Sequence, residues 1–154
     1  MEITVRLALP ADAEFISAGN CATALETEEW ILNPANALAG VRAVLGDPSR
    51  GFYLVAEFDG AVVGQCMVTF EWSDYRNGLF WWIQSVYVRP EARRRGIFLR
   101  LFQTVESMAR ASEDVTGLRL YVESRNRAAQ EAYIRAGMQR APYVLLEQDW
   151  GRSG

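Results

Sequence analysis

The run SVYVRPEARRRGIFLRLFQTVESMAR, from Ser85 to Arg110, decides how the rest of the chain is read. Its opening, Val86-Tyr87-Val88, has the composition of a strand. Its later part sets Ile97, Phe98, Leu101, Phe102, Val105, Met108 and Ala109 at the spacing of one apolar helical face. Between them stand Arg93, Arg94, Arg95 and Gly96, so the pattern predicts strand, basic turn, helix N-terminus. The first turn of a helix directs its N–H groups and the positive end of its dipole back toward the preceding turn. Arginine forks, and a glycine that lets a backbone come close, would complete a phosphate cradle. A solvated charged turn leading into a packed helix fits the same residues.

Charge favours the cradle. Residues 89–100 hold five arginines against Glu91, a local +4 in a chain of net charge −3, which leaves −7 for the remainder. A small basic site on an acidic body suits one compact polyanion such as a pyrophosphate. Nucleic acid usually requires a spread basic surface, so RNA binding by Arg93 to Arg95 is disfavoured. The chain contains no lysine, which excludes a P-loop, and it has no GxGxxG for a dinucleotide fold.

At 154 residues, half of them hydrophobic, the chain is read as a single domain spanning 1–154 with a sizeable core. The start MEITVRLALP lacks a basic region followed by an extended apolar one, and no window approaches the roughly 18 apolar residues of a membrane span. The expectation is a soluble, cytoplasmic protein with no membrane partner. Cys21 and Cys66 read as small hydrophobes in a reducing compartment. Without histidine or lysine, a Ser-His-Asp triad, a Cys-His pair, a His-ligated metal and a Schiff base are all excluded. No metal is expected, and acid–base chemistry must use Asp, Glu, Tyr, Cys, backbone or water.

Around the central run the chain orders itself as α+β. Ile3 to Leu9 reads as a strand, and Pro10-Ala11-Asp12 as a helix start. Pro34-Ala35-Asn36 begins a second helix, which Gly46-Asp47-Pro48 ends. Phe52 to Phe58 and Ala61 to Trp72 flank Asp59-Gly60, a strong hairpin signal, and Leu79 to Val88 continues an antiparallel meander. The helix Gly96 to Ala111 is a crossover, so Gly117 to Glu123 should lie parallel to Leu79–Val88. A helix from Arg127 to Ala136 ends at Gly137, and Tyr143 to Glu147 reads as a last strand.

That fourth helix carries the second informative pattern. Asn126 and Tyr133 fall on nearly one face, roughly 10.5 Å apart along the axis, with Ala129 between them. An amide, a small gap and a phenol in line could track an elongated ligand. An N-cap with a core tyrosine accounts for the same spacing.

Taken together, the two stretches resemble the GNAT superfamily of acyl-CoA-dependent N-acyltransferases over about residues 50 to 140. SVYVRPEARRRGIF looks like that family's motif A with its [QR]xxGx[GA] loop, and NRAAQEAYIRAGM looks like motif B. Phe98 departs from the pattern, standing where Gly or Ala is usual. The resemblance implies a mixed sheet, an antiparallel N-terminal meander with a parallel central pair, flanked by about four helices.

It also implies the site. Arg93, Arg94, Arg95, Gly96, Ile97 and Phe98 would hold the diphosphate of acetyl-CoA. Val86, Tyr87 and Val88 would line the pantetheine arm, which Val86 and Val88 would pair by backbone. Asn126 would hydrogen-bond that arm, Ala129 would be part of the same cofactor-binding face, and Tyr133 would act as general acid beside the thioester sulfur. The implied reaction is transfer of an acetyl group to a primary amine by direct attack.

The base is less well marked. Many members place a glutamate on the strand that here reads Leu79-Phe-Trp-Trp-Ile-Gln-Ser, which has none. Glu71 and Glu123 are the substitutes, with ordered water as the default. Trp30, Trp72, Trp81 and Trp82, with Glu26, Glu28, Glu29, Glu71 and Asp74, could receive a cationic amine. The same tryptophans could equally form core or a homodimer surface. The alternative function is a non-catalytic acyl-CoA-binding module, which the missing strand glutamate would suit.

Overall fold

The computed structural model describes residues 2–151, and the chain divides after Leu120 into two compact units. Among the described residues the first holds five strands and three α-helices. The strands are β1 (Ile3–Leu7), β2 (Phe52–Phe58), β3 (Ala61–Ser73), β4 (Gly78–Val88) and β5 (Val115–Leu120), and the helices α1 (Ala13–Glu28), α2 (Pro34–Leu45) and α3 (Ile97–Ala111). The second unit contains α4 (Arg127–Arg135). The sheet order is β1-β2-β3-β4-β5, with the first three pairings antiparallel and β4–β5 parallel.

Local chemistry explains the connections. Asp59 and Gly60 take φ of 54° and 77°, the left-handed pair that a two-residue hairpin demands. Asn33 caps α2, its side chain accepting from the Asn36 N–H at 3.0 Å, and Pro34 follows as the first helical residue. The link from β4 to β5 passes through α3, as a parallel pairing requires.

The alternation of β2 and β3 sorts the core into two layers. Tyr53 and Val55 join Ala13, Ile16 and Val41 in the cluster that covers α1 and α2. On the opposite face Ala56 pairs with Gly64, whose Cα faces Ile97 of α3 so closely that an added Cβ would stand 3.0 Å from the isoleucine. The buried stripe of α3, Ile97, Leu101, Phe102, Val105 and Ala109, follows the helical period predicted for it. Burying a side chain such as Leu101 is worth about 1.5–3 kcal/mol.

Several boundaries differ from the sequence reading by a residue or more, β1 ending at Leu7 and not Leu9, and one expected strand does not form. The strand expected over Gly117 to Glu123 occupies Val115–Leu120 instead. Tyr143 to Glu147 form no strand. A β segment closes its backbone hydrogen bonds only against a neighbouring edge, so apolar composition after Pro142 is insufficient to make one.

Candidate active site

The site begins where β4 loses one of its neighbours. Its ladder with β5 ends at Ile83–Leu120, whereas its ladder with β3 runs on to Val88–Gly64. From Gln84 to Val88 the strand therefore has a partner strand on one side only within this sheet. The same stretch is irregular. Gln65 pairs with Tyr87 and Met67 with Gln84, so Ser85 and Val86 together stand opposite Cys66. Ser85 takes φ 52° to make this bulge.

The turn that follows is held from below and open above. The Arg89 N–H donates to Val63 O at 2.8 Å, Pro90–Ala92 form a single 3-10 turn, and Ala92 is buried. Arg94 and Gly96 are then left-handed, with φ of 66° and 80°. Gly96 is the N-cap of α3 and contributes no side-chain cap, and a Cβ added to it would meet nothing within 4 Å. An anion can thus approach the helix mouth without meeting a side chain at this residue.

The three arginines of this turn do different things. Arg93 donates from Nε to Val88 O at 2.9 Å and pairs at the surface with Glu26 at 3.3 Å. Arg95 lies against the Phe58 ring, its Cζ 5.3 Å from the centroid. Arg94 is exposed. Phe98, the departure from the motif, is half-buried with its ring 6.3 Å from that of Phe102, so it extends the apolar face of α3.

In the second unit, Asn126 caps α4: its Oδ1 accepts from the Ala129 N–H at 3.1 Å. Only the carbonyl end of the amide is used in that bond. Tyr133 lies on the last turn of α4 and is half-buried, as is Ala129. The helix ends with Met138 N–H on Tyr133 O at 3.1 Å, Gly137 N–H on Ile134 O at 3.0 Å, and Gly137 at φ 107°. This paired closure fixes the turn that carries Tyr133.

Comparison with known proteins decides the family. The model of the acetyltransferase (GNAT) family matches residues 18–138. The chain belongs to this family. A possible acetyltransferase from Clostridium difficile 630 is similar at 40% identity over 97% of this chain and 98% of its own, with a TM-score of 0.90. Two remoter structures share the fold. One is a ribosomal-protein-alanine N-acetyltransferase from Brucella melitensis biovar Abortus 2308, at 16% identity, covering 97% of this chain and 100% of its own, TM-score 0.77. The other is AAC(6')-Iy in complex with the bisubstrate analog CoA-S-monomethyl-acetylneamine, at 14% identity, 97% and 99% coverage, TM-score 0.76. No curated protein matches the sequence.

Both carboxylates considered as a base are engaged in this GNAT acetyltransferase. Glu71 accepts from Trp82 Nε1 at 2.9 Å and from Arg119 Nη1 at 2.7 Å. The Trp82 and Arg119 hydrogen bonds hold its carboxyl below the usual glutamate range. Glu123 accepts from Arg125 Nε at 2.8 Å and from the Arg125 N–H at 2.7 Å, and its carboxyl is lowered likewise. A carboxylate stabilised as the anion is a weak proton acceptor. Burial pushes the Cys66 thiol up to about 12, so it is not a nucleophile at neutral pH.

The tryptophans divide as well. Trp81 is core, its ring 5.3 Å from Phe52 and 6.1 Å from Phe70, whereas Trp30 and Trp72 are exposed. The sequence reading also missed Gln65, a polar side chain fully buried on β3. Its signal was available, as the lone polar residue of the run Val62-Val-Gly-Gln-Cys-Met-Val68.

No helix among the described residues is long and apolar enough to cross a membrane.

Proposed function

We propose that the chain is an N-acetyltransferase that passes the acetyl group of acetyl-CoA directly to a primary amine. The observation that carries this reading is the continuous element formed by the one-sided stretch of β4, the left-handed residues Arg94 and Gly96, and the N-terminus of α3. A diphosphate fits the helix mouth, where the first-turn amides and the Arg94 guanidinium can share its charge. Backbone groups of Val86 and Val88 can pair with an amide-bearing arm as a strand would.

The chemistry then requires three things. The amine must be oriented on the thioester carbon, the developing oxyanion needs an N–H donor, and the departing thiolate needs a proton. Orientation and the oxyanion donor come from the β4 backbone. The proton is assigned to Tyr133 on the strength of the motif that contains it. An alkyl amine is only about one part in a thousand neutral at pH 7, so its proton must leave, and the ion-paired states of Glu71 and Glu123 favour water as its acceptor.

Thiol release from acetyl-CoA across a panel of primary amines, with wild type beside Tyr133→Phe, tests this. Turnover on at least one amine that drops sharply in the variant supports the reading. CoA binding with no turnover on any amine would instead support the non-catalytic acyl-CoA-binding module.

A further inference from the structure

We infer that Gln65 is a positioning residue, whose buried carboxamide ties α1 to the β4 bulge and so sets the backbone against which a thioester would lie. The inference rests on the acetyltransferase reading for its consequence and on the geometry of Gln65 for its cause. The two N–H groups of Nε2 are shared among three acceptors, Ile16 O at 3.1 Å, Asn20 Oδ1 at 2.9 Å and, at the limit of a hydrogen bond, Ser85 O at 3.4 Å. Three acceptors on two elements thus converge on one nitrogen.

The fit is tight. Gly19 faces Gln65 so closely that a Cβ there would stand 2.8 Å from Oε1 and 2.7 Å from the Tyr87 ring. Any side chain at position 19 would force Gln65, Tyr87 or α1 itself to shift. The arrangement is also costly, because Oε1 is buried with no hydrogen-bond partner among the described residues, and an apolar residue of similar size would avoid that penalty. A group kept at a cost to stability, beside a strained backbone, suggests a role in function.

Ser85 supplies the strain. A non-glycine residue at φ 52° is disfavoured unless its surroundings hold it; the register of β3 makes the bulge, and the Gln65 N–H on the Ser85 carbonyl adds to that hold. Because a trans peptide points its C=O and N–H in opposite directions, anchoring Ser85 O toward α1 aims the Val86 N–H the other way. Gln65 thereby fixes the direction of a donor in the stretch of β4 with a partner strand on one side only.

The test compares wild type, Gln65→Leu and Gln65→Leu with Ser85→Gly, reading kcat, CoA affinity and the Val86 amide resonance. Gln65→Leu should displace that resonance and lower kcat by about 10- to 100-fold, the loss expected from slight misplacement of reacting groups, with a smaller loss of CoA affinity because Val86 is one contact among several. Glycine takes positive φ without support, so Ser85→Gly should restore a good part of kcat. Should Gln65→Leu not fold, Gln65→Met carries the same expectations. An unmoved Val86 resonance, or kcat and CoA affinity falling to the same extent with no rescue by glycine, overturns the inference. The acetyltransferase reading fails separately, if wild type releases no thiol on any amine. The Val86 resonance then still decides whether Gln65 sets the bulge.

Discussion

Glu71 Oε1 accepts from Arg119 Nη1 at 2.7 Å, joining β3 to β5 across the intervening β4. The Arg119 guanidinium also lies 3.7 Å from the centroid of the Phe80 ring, so the acid, the cation and the aromatic form one surface cluster on the sheet. This placement makes Glu71 a sheet-face anion and a poor base.

Glu71→Gln should therefore change kcat by less than about threefold. Because the folded carboxyl sits below its ordinary range, it is already ionised throughout neutral pH. The kcat/KM profile should accordingly show no acidic limb between about pH 5 and 8 that disappears in the variant. A loss of about 100-fold together with a vanished limb would return Glu71 to the base role.

Tyr133→Phe should lower kcat by about 10²-fold or more, the usual worth of a positioned general acid. CoA affinity should stay within about twofold, since the ring remains. Steady-state kinetics with a titration of CoA separates the two effects. An unchanged kcat would remove the phenol from the chemistry.

All three arginines of the basic turn are exposed, but Arg94, unlike Arg93 and Arg95, makes no side-chain hydrogen bond, ion pair or ring contact among the described residues. Arg94→Glu should weaken CoA binding about tenfold or more at low ionic strength, with the gap narrowing as salt rises. Arg95→Glu should have the smaller effect, because its guanidinium lies over Phe58. Calorimetry at two salt concentrations checks the ranking, and equal affinities in all three proteins would contradict it.

Asp12 links fold stability to pH. Its carboxylate takes two hydrogen bonds from Arg6, at 2.9 and 3.2 Å, and one from the Leu9 N–H at 2.7 Å. The Arg6 hydrogen bonds hold its carboxyl below the ordinary aspartate range. A depressed folded pKa contributes stability that is present above the unfolded pKa, about 3.9, and is lost as pH falls through the folded value. Asp12→Asn should cost about 1–3 kcal/mol at pH 7. Denaturant midpoints of variant and wild type should converge as pH drops below about 4. A gap that stays constant down to pH 2 would contradict the linkage.

Much of this was legible because the signals are local. Asp59-Gly60 announces its hairpin through the conformations those residues tolerate, and RRRG followed by a helical stripe marks the mouth of α3. The bulge was not legible, since serine carries no sign that it will take φ 52°; β3 imposes this by register. The partner of Glu71 was hidden for a similar reason. Arg119 is 48 residues away, and only the parallel pairing of β4 with β5 brings it alongside. The expected strand at Tyr143 to Glu147 failed in the opposite sense: composition spoke for it, but pairing is a property of two segments.

The most direct test of the account is the backbone amide spectrum of the protein titrated with CoA. The largest shifts should fall on Arg94 to Leu99 and on Val86 to Val88, and Gly96→Val should suppress both sets by filling the open helix mouth. CoA binding that leaves these amides unmoved, while shifting others, would contradict it.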